Sequence, residues 1–133
     1  MKPSTRAASS SPPPTKLIIA GSRTITHYDV LLRAISEAQN KGLISENFEV
    51  VSGGASGVDF LAKKYAETFR LPYYEFLPEY SGPNDRTAPL HRNQKMAIFG
   101  DVLLAIWDGQ SKGTKHMIDS MKTLEKPVLI IRA

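Results

Sequence analysis

Two glycine-bearing turns are the places in this sequence where the main chain itself could bind an anion. The first is Ser52-Gly53-Gly54-Ala55-Ser56-Gly57, and the second is Asp108-Gly109-Gln110-Ser111-Lys112-Gly113-Thr114. Each turn follows an apolar run and leads into apolar residues at helical spacing, which predicts a strand before it and a helix after it. The first N–H groups of a helix are unpaired and its dipole favours negative charge there, so each turn could hold an anion.

Side chains of the second turn add chemistry to this backbone. Gly109 and Gly113 let a ligand approach the main chain closely, and Ser111 and Thr114 supply hydroxyl groups. The simplest alternative is an ordinary strand-to-helix turn in which Ser111 caps the helix. Lys112 is interpreted either as a positive charge for the anion or as an exposed surface residue.

Three residues are candidates for catalysis near the turns. Asp108 is the carboxylate of the second turn, and Asp59 follows Ser56 by three residues. That spacing predicts that Asp59 is the N3 capping residue of a helix, with a hydrogen bond to a ribose hydroxyl or a water as the alternative. Arg92 is the third candidate, because a planar guanidinium can grip two phosphate oxygens.

Strands and helices are predicted to alternate along the chain. A polar loop at residues 78–87 interrupts this pattern and is long enough to act as a lid or a binding loop. Apolar runs predict strands at residues 16–20, 48–51, 72–77, 102–106 and 127–131.

Four helices are predicted between these strands. The first starts with a capping-box-like pair, Thr26 and Asp29, and ends at Gly42. The second covers residues 58–69, and Pro89 lies in the first turn of the third. The fourth follows the second glycine turn.

This alternation predicts an α/β fold with a doubly wound parallel sheet of five strands, for which we expect the order 3-2-1-4-5. The strands read as continuous apolar runs, as burial on both faces requires. Ligands bind such sheets beyond the carboxyl ends of the strands, where the strand order reverses, here between the first and fourth strands. We therefore expect both glycine turns and the motif Gly21-Ser22-Arg23 to face one crevice.

Composition places the chain among ordinary globular proteins. Its 133 residues are enough for one domain with one hydrophobic core. Of these residues, 41% are hydrophobic and 23% are charged, which is typical of globular proteins. The sequence has no cysteine, and its three histidines lie far apart, so we expect neither a metal nor a cofactor. The net charge is +4, and two of the positive charges, Lys2 and Arg6, lie near the N-terminus. The remaining charge permits an anionic ligand or nucleic acid without arguing strongly for either.

Residues 1–15 are rich in serine and proline and contain no hydrophobic segment. This composition predicts a disordered leader, with a proline-motif ligand as the alternative, followed by a single domain over residues 16–133. No apolar stretch approaches the ~20 residues of a membrane helix, and no secretory signal is found. A cytoplasmic protein without membrane contact is therefore expected.

Four motifs resemble the SLOG superfamily, and most closely its small YspA-like branch. They are Gly21-Ser22-Arg23, residues 51–59, Ala88-Pro89-Leu90-His91-Arg92-Asn93 and Gly109 to Thr114. The similarity spans residues 16–131. It implies a Rossmann-like fold that binds nucleotides or nucleotide derivatives, and a homo-oligomer, most simply a dimer.

Two better-understood branches supply alternatives to simple ligand binding. The LOG phosphoribohydrolases cleave the N-glycosidic bond of nucleoside monophosphates with an Arg, which Arg92 matches, and a Glu, at whose position this chain has Met117. A methionine neither activates water nor stabilises a cationic transition state, so phosphoribohydrolase activity is doubtful and would need a rearranged acid–base set. The DNA-processing protein A family, which binds single-stranded DNA, has similar motifs and supplies the third interpretation, nucleic-acid binding.

The leading hypothesis is therefore a binding module for a nucleotide or nucleotide-derived small molecule, acting as a sensor, a carrier or a sequestering protein. Its predicted ligand-binding residues are Gly21, Ser22, Arg23, Ser52, Gly53, Gly54, Ser56, Gly57, Asp59, Arg92, Asn93, Asp108, Gly109, Ser111, Lys112, Gly113 and Thr114.

Overall fold

The computed structural model describes residues 13–133, so most of the predicted leader lies outside the described residues. Within them, no helix is long and apolar enough to cross a membrane. The strands are β1 (Thr15–Gly21), β2 (Phe48–Ser52), β3 (Tyr73–Glu75), β4 (Val102–Trp107) and β5 (Val128–Arg132). The helices are α1 (Tyr28–Asn40), α2 (Val58–Thr68), α3 (Ala88–Phe99) and α4 (Lys112–Thr123).

The five strands form one parallel sheet in the order β3-β2-β1-β4-β5, which confirms the predicted topology. The central strand β1 sets the register, because its Ile18 pairs with Val51 of β2 on one side and with Leu103 of β4 on the other. Strand order reverses between β1 and β4, so the loops that follow these two strands lie side by side.

Apolar side chains bury both faces of the sheet, as the uninterrupted apolar strands predicted. Leu17 and Leu104 belong to the core under α1 and α2, and neither is exposed. Ile18, Leu103 and Met117 belong to the core under α3 and α4. Full burial of each such side chain contributes about 1.5–3 kcal/mol, so the two cores hold all four helices against the sheet.

The edge strand β3 is shorter than predicted and covers three residues. Its pairing with β2 is extended at both ends, where Pro72 O accepts the Val50 amide and Phe76 N donates to Ser52 O. Beyond Phe76 the chain leaves the sheet, and Leu77 is 60% exposed. Of the strand predicted at residues 72–77, only Tyr73–Glu75 form β3, and Phe76 and Leu77 line a surface cleft.

The predicted capping box at the start of α1 is wrong. Helix α1 begins at Tyr28 with His27 as its N-cap, and no side chain caps it. Thr26 thus lies one residue outside the capping position. The predicted end of α1 at Gly42 is confirmed, because Gly42 has a φ of +71° and its amide donates to Gln39 O.

Helix α3 is tied to the rest of the domain at its C-terminal end by Lys126. The ammonium group of Lys126 donates to the carbonyls of Ala97, Ile98 and Gly100 at 2.7–2.9 Å. These carbonyls belong to the end of the helix, where unpaired acceptors and the dipole favour a positive charge. Lys126 therefore helps to fix the helix that carries Arg92.

Candidate functional site

The predicted crevice exists as a cavity of about 100 Å³ beyond the carboxyl ends of β1 and β4, bordered by α3 and α4. Eight predicted ligand-binding residues line it: Gly21, Arg23, Asp59, Arg92, Asn93, Ser111, Gly113 and Thr114. Five further lining residues were not predicted as ligand-binding: Ala20, Ala55, Pro89, Met96 and Met117.

The wall formed by α4 is the N-terminus of that helix. Ser111 is the N-cap, and its Oγ accepts the Thr114 amide at 3.4 Å. An ideal Cβ added at Gly113 would meet nothing within 4 Å, so the main chain there is open to a ligand. Lys112 is exposed and lies outside the cavity lining. The capping role that the sequence suggested for Ser111 thus coexists with an approachable backbone.

Asp108 stabilises this turn from outside the cavity. Its Oδ1 accepts the amides of Gln110 and Ser111, both at 2.8 Å, and these bonds hold the pKa of the Asp108 carboxyl below its usual range. An ionised carboxylate occupied by two backbone amides is a poor proton donor. Of the three catalytic candidates, Asp59 and Arg92 line the cavity and Asp108 does not.

Arg92 lies at the junction of α3 with the first glycine turn. Its Nη1 donates to Gly53 O at 2.6 Å and to Phe76 O at 3.3 Å, and its Nε donates to Asn93 Oδ1 at 3.1 Å. Burial lowers the pKa of Arg92, while the Asp59 carboxylate opposes that shift. Three of the five guanidinium N–H groups are used, which leaves the two on Nη2 to meet a ligand.

Asn93 links the two helices that border the cavity. It is 5% exposed, and its Nδ2 lies 3.3 Å from both Gly113 O and His116 Nδ1. Its Oδ1 accepts from Arg92, so one amide group connects the guanidinium to the N-terminus of α4. His116 was not among the predicted site residues, and its spacing in the sequence carries no signal of this contact.

Asp59 is a buried carboxylate in the cavity wall, 7% exposed. Burial raises its pKa, and the Ala55 amide, Arg92 and Arg23 each act in the opposite direction. Its Oδ2 accepts the Ala55 amide at 3.1 Å. The predicted N3 position is wrong, because Gly57, at a φ of +71°, is the N-cap of α2 and Asp59 is the second residue of the helix.

Two serines that the sequence assigned to the ligand serve the framework of the site. Ser22 is 1% exposed, and its Oγ accepts the Asp108 amide at 3.0 Å, which joins the loops after β1 and β4. Ser52 is fully buried, and its Oγ donates to Asp59 O at 3.4 Å. Ser56, in contrast, is exposed and lies outside the cavity lining.

The six glycines predicted to bind the ligand divide into five that allow close packing and one, Gly113, that leaves open space. A side chain at Gly21 would meet Val58 and the Ile106 carbonyl, and one at Gly57 would meet the backbone of Arg23. The other three are also crowded, Gly53 by Arg92, Gly54 by Leu77 and Gly109 by Arg132. Gly113 has no such neighbour within 4 Å, so its lack of a side chain serves access rather than packing.

Two larger clefts adjoin the cavity. One of about 600 Å³ runs between α3 and the segment after β3, and Arg92 lines both spaces. The other, of about 400 Å³, lies along α2, and both Ala55 and Asp59 line it together with the cavity. Across residues 13–133, no cluster of three or more His, Asp or Glu side chains could hold a metal ion.

Fold and site together define a Rossmann-like α/β domain with a basic cavity at the switch point of its sheet. The sequence profile of the YspA, cpYpsA-related SLOG family (YAcAr) matches residues 15–81, half of the chain, and the protein belongs to this family. The matched segment contains the first glycine turn and Asp59, while Arg92 and the second turn lie beyond it. No curated protein sequence matches the chain significantly.

Solved structures support the fold. TM1055 superposes with a TM-score of 0.62 at 20% identity, covering 86% of this chain and 72% of that one. DNA processing protein A from Helicobacter pylori, described in its single-stranded DNA binding mode, gives 0.64 at 21% identity, covering 88% and 65%. Acinetobacter baumannii MurG gives 0.51 at 13% identity, covering 88% and 34%. The chain thus spans about two thirds of the second structure and one third of the third.

Proposed function

We propose that the protein binds a nucleotide or nucleotide-derived ligand, whose phosphate group lies in the 100 Å³ cavity. One observation carries the proposal: the open N-terminus of α4 at Gly113 and the guanidinium of Arg92 line the same cavity. A helix N-terminus offers unpaired amides and a favourable dipole, and Arg92 adds charge-assisted donors.

The size of the cavity supports a phosphate rather than a whole nucleotide. Its volume of about 100 Å³ equals that of roughly three waters, each taking about 30 Å³ of the liquid. The sugar and base would then occupy an adjoining cleft, and the 600 Å³ cleft that Arg92 also lines is large enough. Arg23, exposed at the mouth, adds a second positive charge.

Family membership supports the nature of the ligand, because SLOG domains are associated with nucleotide-related ligands. Hydrolysis in the LOG manner is less well supported. Met117 is 1% exposed and lines the cavity with a thioether at the position where the LOG motif has its Glu. The protein is therefore proposed as a binding module, with a LOG-like hydrolase as the runner-up.

Nucleic-acid binding is the weakest of the three interpretations. The single-stranded DNA binding described for DNA processing protein A belongs to that protein. Strand binders use an extended basic groove with stacking aromatic side chains, whereas the site here is a small cavity. A steep loss of affinity with rising salt concentration would favour nucleic acid over a small ligand.

The proposal is tested with Gly113→Val and a matched control, Gly82→Val. Both glycines have open space where a Cβ would lie and neither has a positive φ, but Gly82 lines neither the cavity nor the 600 Å³ cleft. Gly113→Val places two methyl groups at the ligand surface, so binding of nucleoside monophosphates in calorimetry should be lost. Gly82→Val should bind like the wild type. A folded Gly113→Val protein with unchanged affinity would refute the proposed phosphate position.

A further inference from the structure

Asp59 is unexpected in a cavity that is built for an anion. Its carboxylate is 7% exposed and lines both the phosphate cavity and the neighbouring 400 Å³ cleft. Within the described part of the chain, no Lys or Arg nitrogen lies within 4.0 Å of it. A dianion that enters the cavity therefore meets a negative charge that no close ion pair neutralises.

The same carboxylate retains hydrogen-bonding capacity toward the ligand. A carboxylate offers about four lone-pair directions. The Ala55 amide uses one at 3.1 Å, and the Gly53 amide interacts more weakly. The remaining acceptor directions can receive a hydroxyl or amino group of a ligand, and such a bond to an ionised acceptor is about twice as strong as a neutral one.

We propose that Asp59 is a selectivity residue that favours phosphate esters carrying a neighbouring hydroxyl group, such as ribose phosphates, over bare inorganic anions. This inference rests on the proposed function, since it assumes that the phosphate lies in the cavity. A hydroxyl donor offsets the repulsion by bonding to the carboxylate, whereas sulfate, an inorganic dianion without a proton, has no such donor.

Asp59→Asn tests this inference, because the amide oxygen of Asn can still accept the Ala55 amide while the charge is lost. Three probes are compared by calorimetry at pH 8: D-ribose 5-phosphate, cyclopentylmethyl phosphate and sulfate. The second probe keeps the ester and the ring size but lacks the hydroxyl groups. At this pH all three are predominantly dianions, because the second pKa of a phosphate ester is about 6 and sulfate carries no proton.

We expect opposite changes for the two kinds of probe. In Asp59→Asn, sulfate should bind several-fold more tightly because the repulsion is removed. The preference of the wild type for ribose 5-phosphate over cyclopentylmethyl phosphate should fall about tenfold, since a charged acceptor becomes a neutral one. Glu67→Gln is the control, because it makes the same charge change on the same helix at an exposed position of the 400 Å³ cleft.

The outcomes separate this inference from the proposed function. If Asp59→Asn shifts all three probes by the same factor, or leaves the preference unchanged, Asp59 does not select the ligand and the inference is wrong, while the phosphate site stands. If Glu67→Gln reproduces the change, the effect is general charge and the inference is again overturned. If the wild type binds nucleoside monophosphates but none of the three probes, the inference is overturned and the proposed function stands. If it binds neither, both fail.

Discussion

Replacement of Arg92 gives the most informative test of how the site is assembled. Its guanidinium bonds to Gly53 O, Phe76 O and Asn93 Oδ1, so Arg92→Ala removes three hydrogen bonds at once. Each contributes about 0.5–1.5 kcal/mol net, and the half-buried position lets water replace part of that loss. We therefore expect the free energy of unfolding to fall by about 1–3 kcal/mol.

Arg92→Ala should also lower the affinity for the ligand, because it removes a group that we propose to bind the phosphate directly. A charge-assisted bond from Nη2 to a phosphate oxygen contributes about 1.5–3 kcal/mol, so Arg92→Ala should weaken nucleoside-monophosphate binding roughly ten- to a hundredfold. Arg92→Lys keeps a positive charge but cannot reproduce the planar fork of N–H donors. The ligand affinity of this variant should therefore lie between those of the wild type and of Arg92→Ala.

Urea unfolding followed by circular dichroism gives the stability, and calorimetry gives the affinity. Arg33→Ala is the matched control, since Arg33 is an exposed arginine on α1 and lines no part of the cavity. The reasoning is refuted if a folded Arg92→Ala protein binds with wild-type affinity, or if Arg33→Ala weakens binding equally.

Three further changes probe the framework around the site. Lys126→Met removes three bonds to the end of α3, and urea unfolding should show a loss of about 1.5–3 kcal/mol; an unchanged midpoint would exclude this anchoring role. The pKa of Asp85 is lowered by hydrogen bonds from Ser81 and Thr87, so its contribution to stability is full well above an unfolded pKa of about 3.9 and is lost as the pH falls. Asp85→Asn should therefore destabilise the protein at neutral pH, and the difference should shrink progressively as the pH falls below about 4, as acid titrations of both proteins can check. Gly54→Ala should lower the melting temperature and Gly113→Ala should not, because Gly54 has a φ of +74° and a crowded Cβ position; equal melting temperatures would contradict the distinction.

The fold was predictable because its signals are local and repeated. Apolar runs and helical spacing gave the alternation of elements, and the preference for right-handed crossovers reduced the choice of topologies. The predictions were wrong at the ends of helices and strands, because tertiary contacts determine where these elements begin and end. Thr26 has the residue type of a cap, yet α1 starts two residues after it, and Leu77 continues an apolar run but leaves the sheet.

The position of the candidate site at one edge of the sheet could be predicted from the sequence, but the role of each residue in it could not. Carboxyl ends of neighbouring strands must meet, so Arg23 and Gly113 could be brought to one edge from the sequence. Arg92 lies on α3, and its place at the site was expected from the resemblance of its motif. Whether a glycine faces open space or a neighbour depends on packing between distant segments, which no local pattern encodes. For the same reason, the contact of His116 with Asn93 could not be foreseen from either residue alone.

The side chains that line the cavity are the reason why we propose binding rather than hydrolysis. A hydrolase of the N-glycosidic bond needs a carboxylate that can orient water or stabilise a cation beside the sugar. The cavity wall formed by α4 contains the buried thioether of Met117, which does neither. The carboxylate that does line the cavity, Asp59, already accepts the Ala55 amide that shapes the first glycine turn. Its remaining acceptor directions are the ones that we propose to receive a hydroxyl group of the ligand, as the proposed binding function requires.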